Sequence, residues 1–240
     1  MIQSGVLPLD HHLGGVQPGR LLLLTGGTGA GKTTACLEFL HAGLRIGEAG
    51  VLITLDRVGD IVAHASAIGM QLEDPVRARR LIIARLPSPL AAPIEAAHTA
   101  NVLEEMRAII EQIHPSRVAI DPLTPLLSER YVGSSALTSV LELFEAAGCT
   151  TILTYPGDVA QSYDARLAPI IQHAASVVHV THEPDGAHRM RAVQTRWRAA
   201  PQQDVRFRFA PGSGLVVDEP AQVEVVVKPK RTRAKKTTTT

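Results

Sequence analysis

The chain has 240 residues, of which 45% are hydrophobic and 20% charged, the balance of one sizeable folded domain. Net charge is +1, but Lys228, Lys230, Arg231, Arg233, Lys235 and Lys236 place +6 on the last thirteen residues and leave the rest at −5, so the body is mildly acidic and only the tail is basic. No apolar stretch reaches the ~20 residues of a membrane helix, and "MIQSGVLPLDHH" lacks the basic start and apolar run of a secretory leader, which points to a cytoplasmic protein.

Aromatic residues make up only 3% of the chain, so the core must be aliphatic. In chain order, "RLLLLT" at 20–25 is a continuous apolar run ended by glycines, which predicts a strand buried on both faces. "KTTACLEFLHAGLRIG" follows as a helix with Ala35, Phe39 and Leu40 on one side, then "GVLITLD" at 50–56 as a second strand. "VGDIVAHASAIGM" at 58–70 reads as a helix, "RRLIIARL" at 79–86 as a third strand, and "AHTANVLEEMRAIIEQIH" at 97–114 as a longer helix. "SRVAID" at 116–121, the helix at 136–148 and "CTTILTY" at 149–155 continue the alternation, which implies parallel strands joined by helical crossovers. From about residue 174 the rhythm changes. "ASVVHVTHEPDGAHRMRAVQTRWR" predicts a hairpin turning at Asp185-Gly186, and "DVRFRFA" and "GSGLVV" add two further strands, an antiparallel extension of a mainly parallel sheet. The domain is read as residues 1–218, followed by a basic tail at 219–240 whose composition predicts disorder over its last dozen residues. Cys36 and Cys149, far apart in apolar surroundings, read as buried free thiols.

Chemistry enters at "GGTGAGKT". Gly26, Gly31, Lys32 and Thr33 fit G-x-x-x-x-G-K-[ST], and the pattern follows a buried strand and opens a helix, the context a phosphate-cradling loop requires. Backbone N–H groups of Gly26, Gly27, Thr28, Gly29, Ala30, Gly31, Lys32, Thr33 and Thr34 can turn toward phosphates where no Cβ intervenes, and the helix N-terminus favours the anion. Lys32 would neutralise the β- and γ-phosphates of a nucleotide, and the Thr33 hydroxyl would hold Mg²⁺. A carboxylate on the metal side should end another buried strand, and Asp121 in "RVAIDPLTPL" does so, although a strand-terminal Asp can also simply cap the turn before Pro122. His179, His182 and His188 surround the expected hairpin at spacings that match no usual ligand set, and read as exposed hairpin histidines.

The stretch from Ser4 to Asp56 resembles the RecA superfamily, and within it the KaiC-like branch. Ser4, Gly5, Leu9, Asp10, Leu13, Gly14, Gly15 and Gly19 match the T-G-I-x-x-L-D-x-x-L-G-G-G-x-x-x-G segment that precedes the phosphate loop there. The likeness continues through "VAHASAIGMQLE", "RVAIDPLTPL", "TTILTY", "ASVVHV" and "DVRFRFAPGSGLVV", over roughly residues 2 to 218. It implies a RecA-like P-loop NTPase: an α/β domain with a mainly parallel sheet flanked by helices, binding ATP and Mg²⁺ at the boundary between subunits of a ring, usually a hexamer. Family members carry Glu, often Glu-Glu, after the second strand to polarise the attacking water. Here Asp56 and Arg57 stand there, one carboxylate a methylene shorter and one group that cannot act as a base, so slow hydrolysis through Asp56 and binding without hydrolysis are both open. The family's K-x-R-G segment, which reaches a neighbour's γ-phosphate, matches Arg196 and Arg198 in "QTRWRAAP", with Ala199 in place of Gly; the same arginines could equally line a solvated strand edge. Thr154 occupies the usual place of a γ-phosphate sensor, or simply packs. The expectation is a ring-forming regulatory ATPase acting on a protein partner, with an ATP-binding scaffold as the alternative. DNA exchange ranks below both, because the loop after the fifth strand has Asp158, Asp164 and Arg166 with no basic excess, the body is acidic, and only the tail could grip nucleic acid.

Overall fold

β1 (Leu21–Gly26), β2 (Gly50–Thr54), β4 (Arg117–Asp121) and β5 (Thr150–Tyr155) carry almost no polar alternation, and nearly every residue in them is buried. Runs of this kind are stable only where helices cover both faces of a parallel sheet. The computed structural model describes residues 1–86, 97–127, 134–159, 164–197 and 199–218, and the expected basic tail at 219–240 lies outside them. Nine strands of the described residues form one sheet in the order β3-β2-β4-β5-β1-β6-β7-β8-β9, with β3 at Leu81–Arg85, β6 at Ser176–His182, β7 at His188–Thr195, β8 at Val205–Ala210 and β9 at Gly214–Val217. The first six are parallel, and β6 to β9 pair antiparallel, as the change of rhythm near residue 174 predicts.

One face is covered by α1 (Leu7–Leu13), α2 (Lys32–Arg45), α3 (Val58–Ala67) and α4 (Glu73–Arg77), whose Leu9, Leu13, Leu37, Phe39 and Ile61 pack on Leu22, Leu24, Leu52, Ile152 and Val178 of the sheet. The other is covered by α5 (Ala97–Ile113), α6 (Ser134–Ala146) and α7 (Ala168–His173), with Met106, Ile110, Phe144 and Ile170 on Leu23, Val51, Ile120 and Leu153. Alternate residues of one strand thus serve opposite cores. α1, α4 and α7 were not expected from the pattern; each is too short for a 3.6-residue period to declare itself. The helix expected over 58–70 ends at Ala67.

The N-terminal segment is fastened by an antiparallel bridge, in which Ile2 and Val16 exchange backbone hydrogen bonds at 2.9 Å, and by side chains. The Asp10 carboxylate accepts from the Ser4 N–H (2.8 Å), the Ser4 hydroxyl (2.7 Å) and the Gly5 N–H (2.9 Å). Buried Arg117, at the start of β4, donates to the carbonyls of Gln3, Ser4 and Phe39 and pairs with Glu48 at 2.6 Å. Cys36 and Cys149 are free and buried, one in each core. Among the described residues no helix is long and apolar enough to cross a membrane.

Candidate functional site

β1 is flanked by β5 and β6, so the loop that leaves its end emerges beside the ends of both, with β4 one strand further on. The loop turns on glycine. At Gly26 φ is +151° and a Cβ would lie 2.4 Å from the Val180 carbonyl oxygen; at Gly31, the N-cap of α2, φ is +87° and a Cβ would lie 2.9 Å from the Phe209 ring. No other residue type fits either position without moving the backbone or its neighbours.

Thr33, in the first turn of α2, donates its hydroxyl to Asp121 Oδ2 at 2.6 Å. The strand order puts β5 between β1 and β4, and Thr154 of β5 therefore stands next to Asp121, donating its hydroxyl to the other carboxylate oxygen. Asp121 and Thr154 are buried, so the carboxylate is held at both oxygens in one orientation. The structure brings together Thr33, Asp121 and Thr154. The Lys32 ammonium lies over the loop, donating to the carbonyls of Gly26 (2.8 Å) and Gly27 (2.7 Å); burial pushes its pKa below the ordinary lysine value, and the Asp121 charge opposes that shift.

Lys32, Thr33 and Asp121 line a cleft of about 400 Å³, which runs past Thr28 to Thr34 and takes in Asp56. Asp56 is exposed at its rim, just beyond β2. His64, Ile68 and Phe209 also line the cleft, and no motif pointed to them. His64 is a half-buried histidine of α3 whose Nε2 lies 3.1 Å from the Thr34 hydroxyl. Phe209 is the last aromatic of β8, 42% exposed despite its size. The alternation of "VRFRF" hints at which face Phe209 shares with Val205 and Phe207, but not that the face reaches the loop.

The histidines depart from expectation. His179 and His188 are buried, and only His182 is exposed. The Nδ1 of His179 lies 2.8 Å from the hydroxyl of Thr25, the residue before the loop, and its Nε2 lies 3.3 Å from Asp158, in the segment after β5. Burial lowers its pKa, with Arg191 and Lys32 acting in the same direction and Asp158 against them. The Nε2 of His188 lies 3.2 Å from the loop carbonyl of Gly29, and its ring stacks on Phe207 and meets Phe209 edge-on. Burial also lowers the His188 pKa. Two histidines 9 residues apart thus brace the loop from β6 and β7, because the hairpin folds back beside β1 instead of projecting into solvent.

Arg196 is not in the cleft. Thr195 pairs with Ser176 at the start of β6, whereas Gly26 pairs with Val180 near its end, so Arg196 lies at the opposite edge of the sheet, roughly 17 Å away along β6 at ~3.3 Å per residue. Its guanidinium donates to the Gln172 carbonyl. Trp197 follows with φ +63° and 64% exposure, its ring 5.7 Å from the Arg20 guanidinium, and Arg198 lies outside the described residues.

A cradle of loop N–H groups with a cation above it and a fixed hydroxyl–carboxylate pair beside it suits a nucleotide polyphosphate with its divalent metal. Comparison with known proteins agrees. A family model described as the KaiC ATPase matches residues 2–222. The circadian clock oscillator protein KaiC of Parasynechococcus marenigrum is 28% identical over 148 residues, which are 59% of this chain and 29% of the clock protein, so the chain spans about three tenths of the length of that relative. A UPF0273 protein of Methanopyrus kandleri is 26% identical over 188 residues, 72% of this chain and 73% of its own length. The crystal structure of a KaiC-like protein from Pyrococcus horikoshii shares the fold with a TM-score of 0.74 at 24% identity, covering 91% of this chain and 98% of that one.

Proposed function

This chain belongs to the KaiC ATPase family, as an ATP-binding RecA-like protein, and from that premise we propose that it is a slow, Mg²⁺-dependent ATPase, a ring-forming regulatory module of the cytoplasm that signals its nucleotide state to a protein partner. The observation that supports the reading best is the line from Thr33 through Asp121 to Thr154 beside the phosphate loop. The Thr33 hydroxyl and the Asp121 carboxylate would hold Mg²⁺, whose charge offsets that of the β- and γ-phosphates. Thr154 is a positioning residue in this scheme, because its hydroxyl is committed to Asp121. The N–H groups from Gly26 to Thr34 bind the phosphates, Lys32 swings from the Gly26 and Gly27 carbonyls onto them, and Phe209 and Ile68 offer an apolar wall for the base.

Asp56 accepts the proton of the attacking water as ATP and water become ADP and phosphate. Its carboxylate sits one methylene further back than a glutamate would, which is the reason for slow turnover. Arg196 and Arg198 act on a neighbour's nucleotide, since Arg196 faces away from the cleft of its own chain. The test is ATP turnover by the purified protein against Lys32→Ala, with particle mass measured with and without ATP. Turnover well above that control, and a particle several times 25.7 kDa with ATP, are the expected results.

A second reading, an ATP-binding scaffold without hydrolysis, is favoured by one feature: Asp56 and Arg57 stand where the family carries its glutamates. Tight ATP binding with turnover no higher than that of Lys32→Ala would establish it. Nucleic-acid binding has little support in the described residues, where the segment after β5 offers Asp158, engaged with His179.

A further inference from the structure

α3 runs along the nucleotide cleft. Asp56 precedes its first turn, at the end where Thr33 and Asp121 meet. Ile68 is its C-cap, and the next residue, Gly69, packs against the backbone of Gly212 in the β8–β9 turn, so Ile68 and Phe209 share the other end. His64 lies between them. At 1.5 Å per residue it stands about 6 Å before Ile68 along the helix axis, opposite the first turn of α2. A nucleotide seated with its γ-phosphate toward Asp56 and its base toward Phe209 would bring its α-phosphate to the level of His64.

The ring is also oriented for that contact. Nε2 is engaged by the Thr34 hydroxyl at 3.1 Å, and Thr34 is buried, so the imidazole is tied to the loop side of the cleft. Among the described residues no hydrogen bond to Nδ1 of His64 is present. In the tautomer where Thr34 donates to Nε2, the proton sits on Nδ1 and that N–H is the donor a ligand in the cleft could meet.

We propose that His64 is a nucleotide-binding residue that donates a hydrogen bond to the α-phosphate, with Thr34 as its positioning partner. This rests on the reading of the cleft as an ATP site. The contact discriminates a nucleoside polyphosphate from short inorganic phosphates held by the loop alone, and it is indifferent to the presence of the γ-phosphate.

The full chain is titrated calorimetrically with MgATP, MgADP and inorganic pyrophosphate, as wild type, His64→Ala and His64→Gln. Loss of one hydrogen bond to a charged group should weaken ATP and ADP alike, by about tenfold in His64→Ala. Pyrophosphate affinity should stay within twofold of wild type, and His64→Gln, which keeps an N–H donor, should recover most of the nucleotide affinity. Unchanged ATP affinity in His64→Ala overturns the contact. Equal weakening of ATP and pyrophosphate also overturns it, because His64 would then act only by shaping the loop through Thr34. Absence of ATP binding in the wild-type chain defeats the ATP-site reading itself, a result distinct from the other two. Thermal unfolding of the three proteins, each expected to melt in one cooperative transition well above the titration temperature, separates lost contact from lost fold.

Discussion

Glu38 carries a carboxyl on the inner side of α2, where one oxygen accepts the Leu215 N–H at 2.6 Å and the other is buried without a hydrogen-bond partner. Burial lifts its pKa to about 8, against the downward pull of the Leu215 N–H, and Asp10 adds to the rise. A folded-state pKa raised above the unfolded one means that the folded protein holds the proton longer. The stabilising contribution is complete below about pH 4.5, declines as pH rises toward 8, and is gone above it. Glu38→Gln keeps the shape and removes the ionisation, so its unfolding temperature should change less between pH 5 and 8.5 and exceed the wild type's at the upper end. Parallel slopes for the two proteins in a pH series of melts would refute this. Glu38 also illustrates what a sequence conceals at this scale. The loop residues and Asp121 are legible because their chemistry is written in consecutive positions and in one strand end. Glu38, His179 and His188 acquire their character from Leu215, Thr25 and Gly29, partners 150 or more positions away, and nothing local tells a buried histidine from an exposed one.

The elements divide by length and by burial. β1, β2, β4 and β5 were legible because both faces are covered, which gives short segments rich in Leu, Ile, Val and Thr without polar alternation, bounded by glycine or proline nearby. α2 and α5 were legible because fourteen and seventeen residues carry several full periods. α1 was not: seven residues starting Leu-Pro, with two histidines, give no period, and its place is fixed by Asp10 reaching back to Ser4 and Gly5. The joint that holds this N-terminal piece to α2 and β4 is Arg117, whose guanidinium satisfies three carbonyls and one carboxylate and lies 4.9 Å from the Phe39 ring. Removing the buried guanidinium leaves three carbonyls without their donor and a half-buried carboxylate without its partner, at a cost of about 3 kcal/mol. Arg117→Met should therefore lose that much in chemical denaturation. Arg117→Lys should recover less than half, since a single ammonium cannot reach acceptors on three segments at once. A loss under 1 kcal/mol in Arg117→Met would mean that the N-terminal segment is held by the Asp10 contacts, the Ile2–Val16 bridge and α1 packing, without Arg117.

Across the whole molecule, the parallel sheet has two chemically different edges. The phosphate loop, Asp56 and Asp121 lie at the strand ends, while Arg20, Arg196 and Trp197 gather at the strand starts. The two groups are a strand length apart, so one chain cannot close Arg196 over its own cleft without unfolding β7. A head-to-tail arrangement of identical chains brings the second edge of each against the first edge of the next, and such a heterologous contact closes into a ring when its rotation allows. The proposal that Arg196 serves a neighbour therefore predicts complementation between two inactive proteins. Lys32→Ala retains a sound Arg196 and Arg196→Ala a sound loop. In a ring assembled at random from equal amounts of the two, about a quarter of the boundaries join an intact loop to an intact arginine, and turnover should return to about a quarter of the wild-type rate. If each protein is inactive alone and the mixture, exchanged under dissociating conditions and reassembled with ATP, stays inactive, then Arg196 does not act across the boundary. If Arg196→Ala alone keeps full turnover, the arginine belongs to the strand edge, held by the Gln172 carbonyl, and has no part in the chemistry.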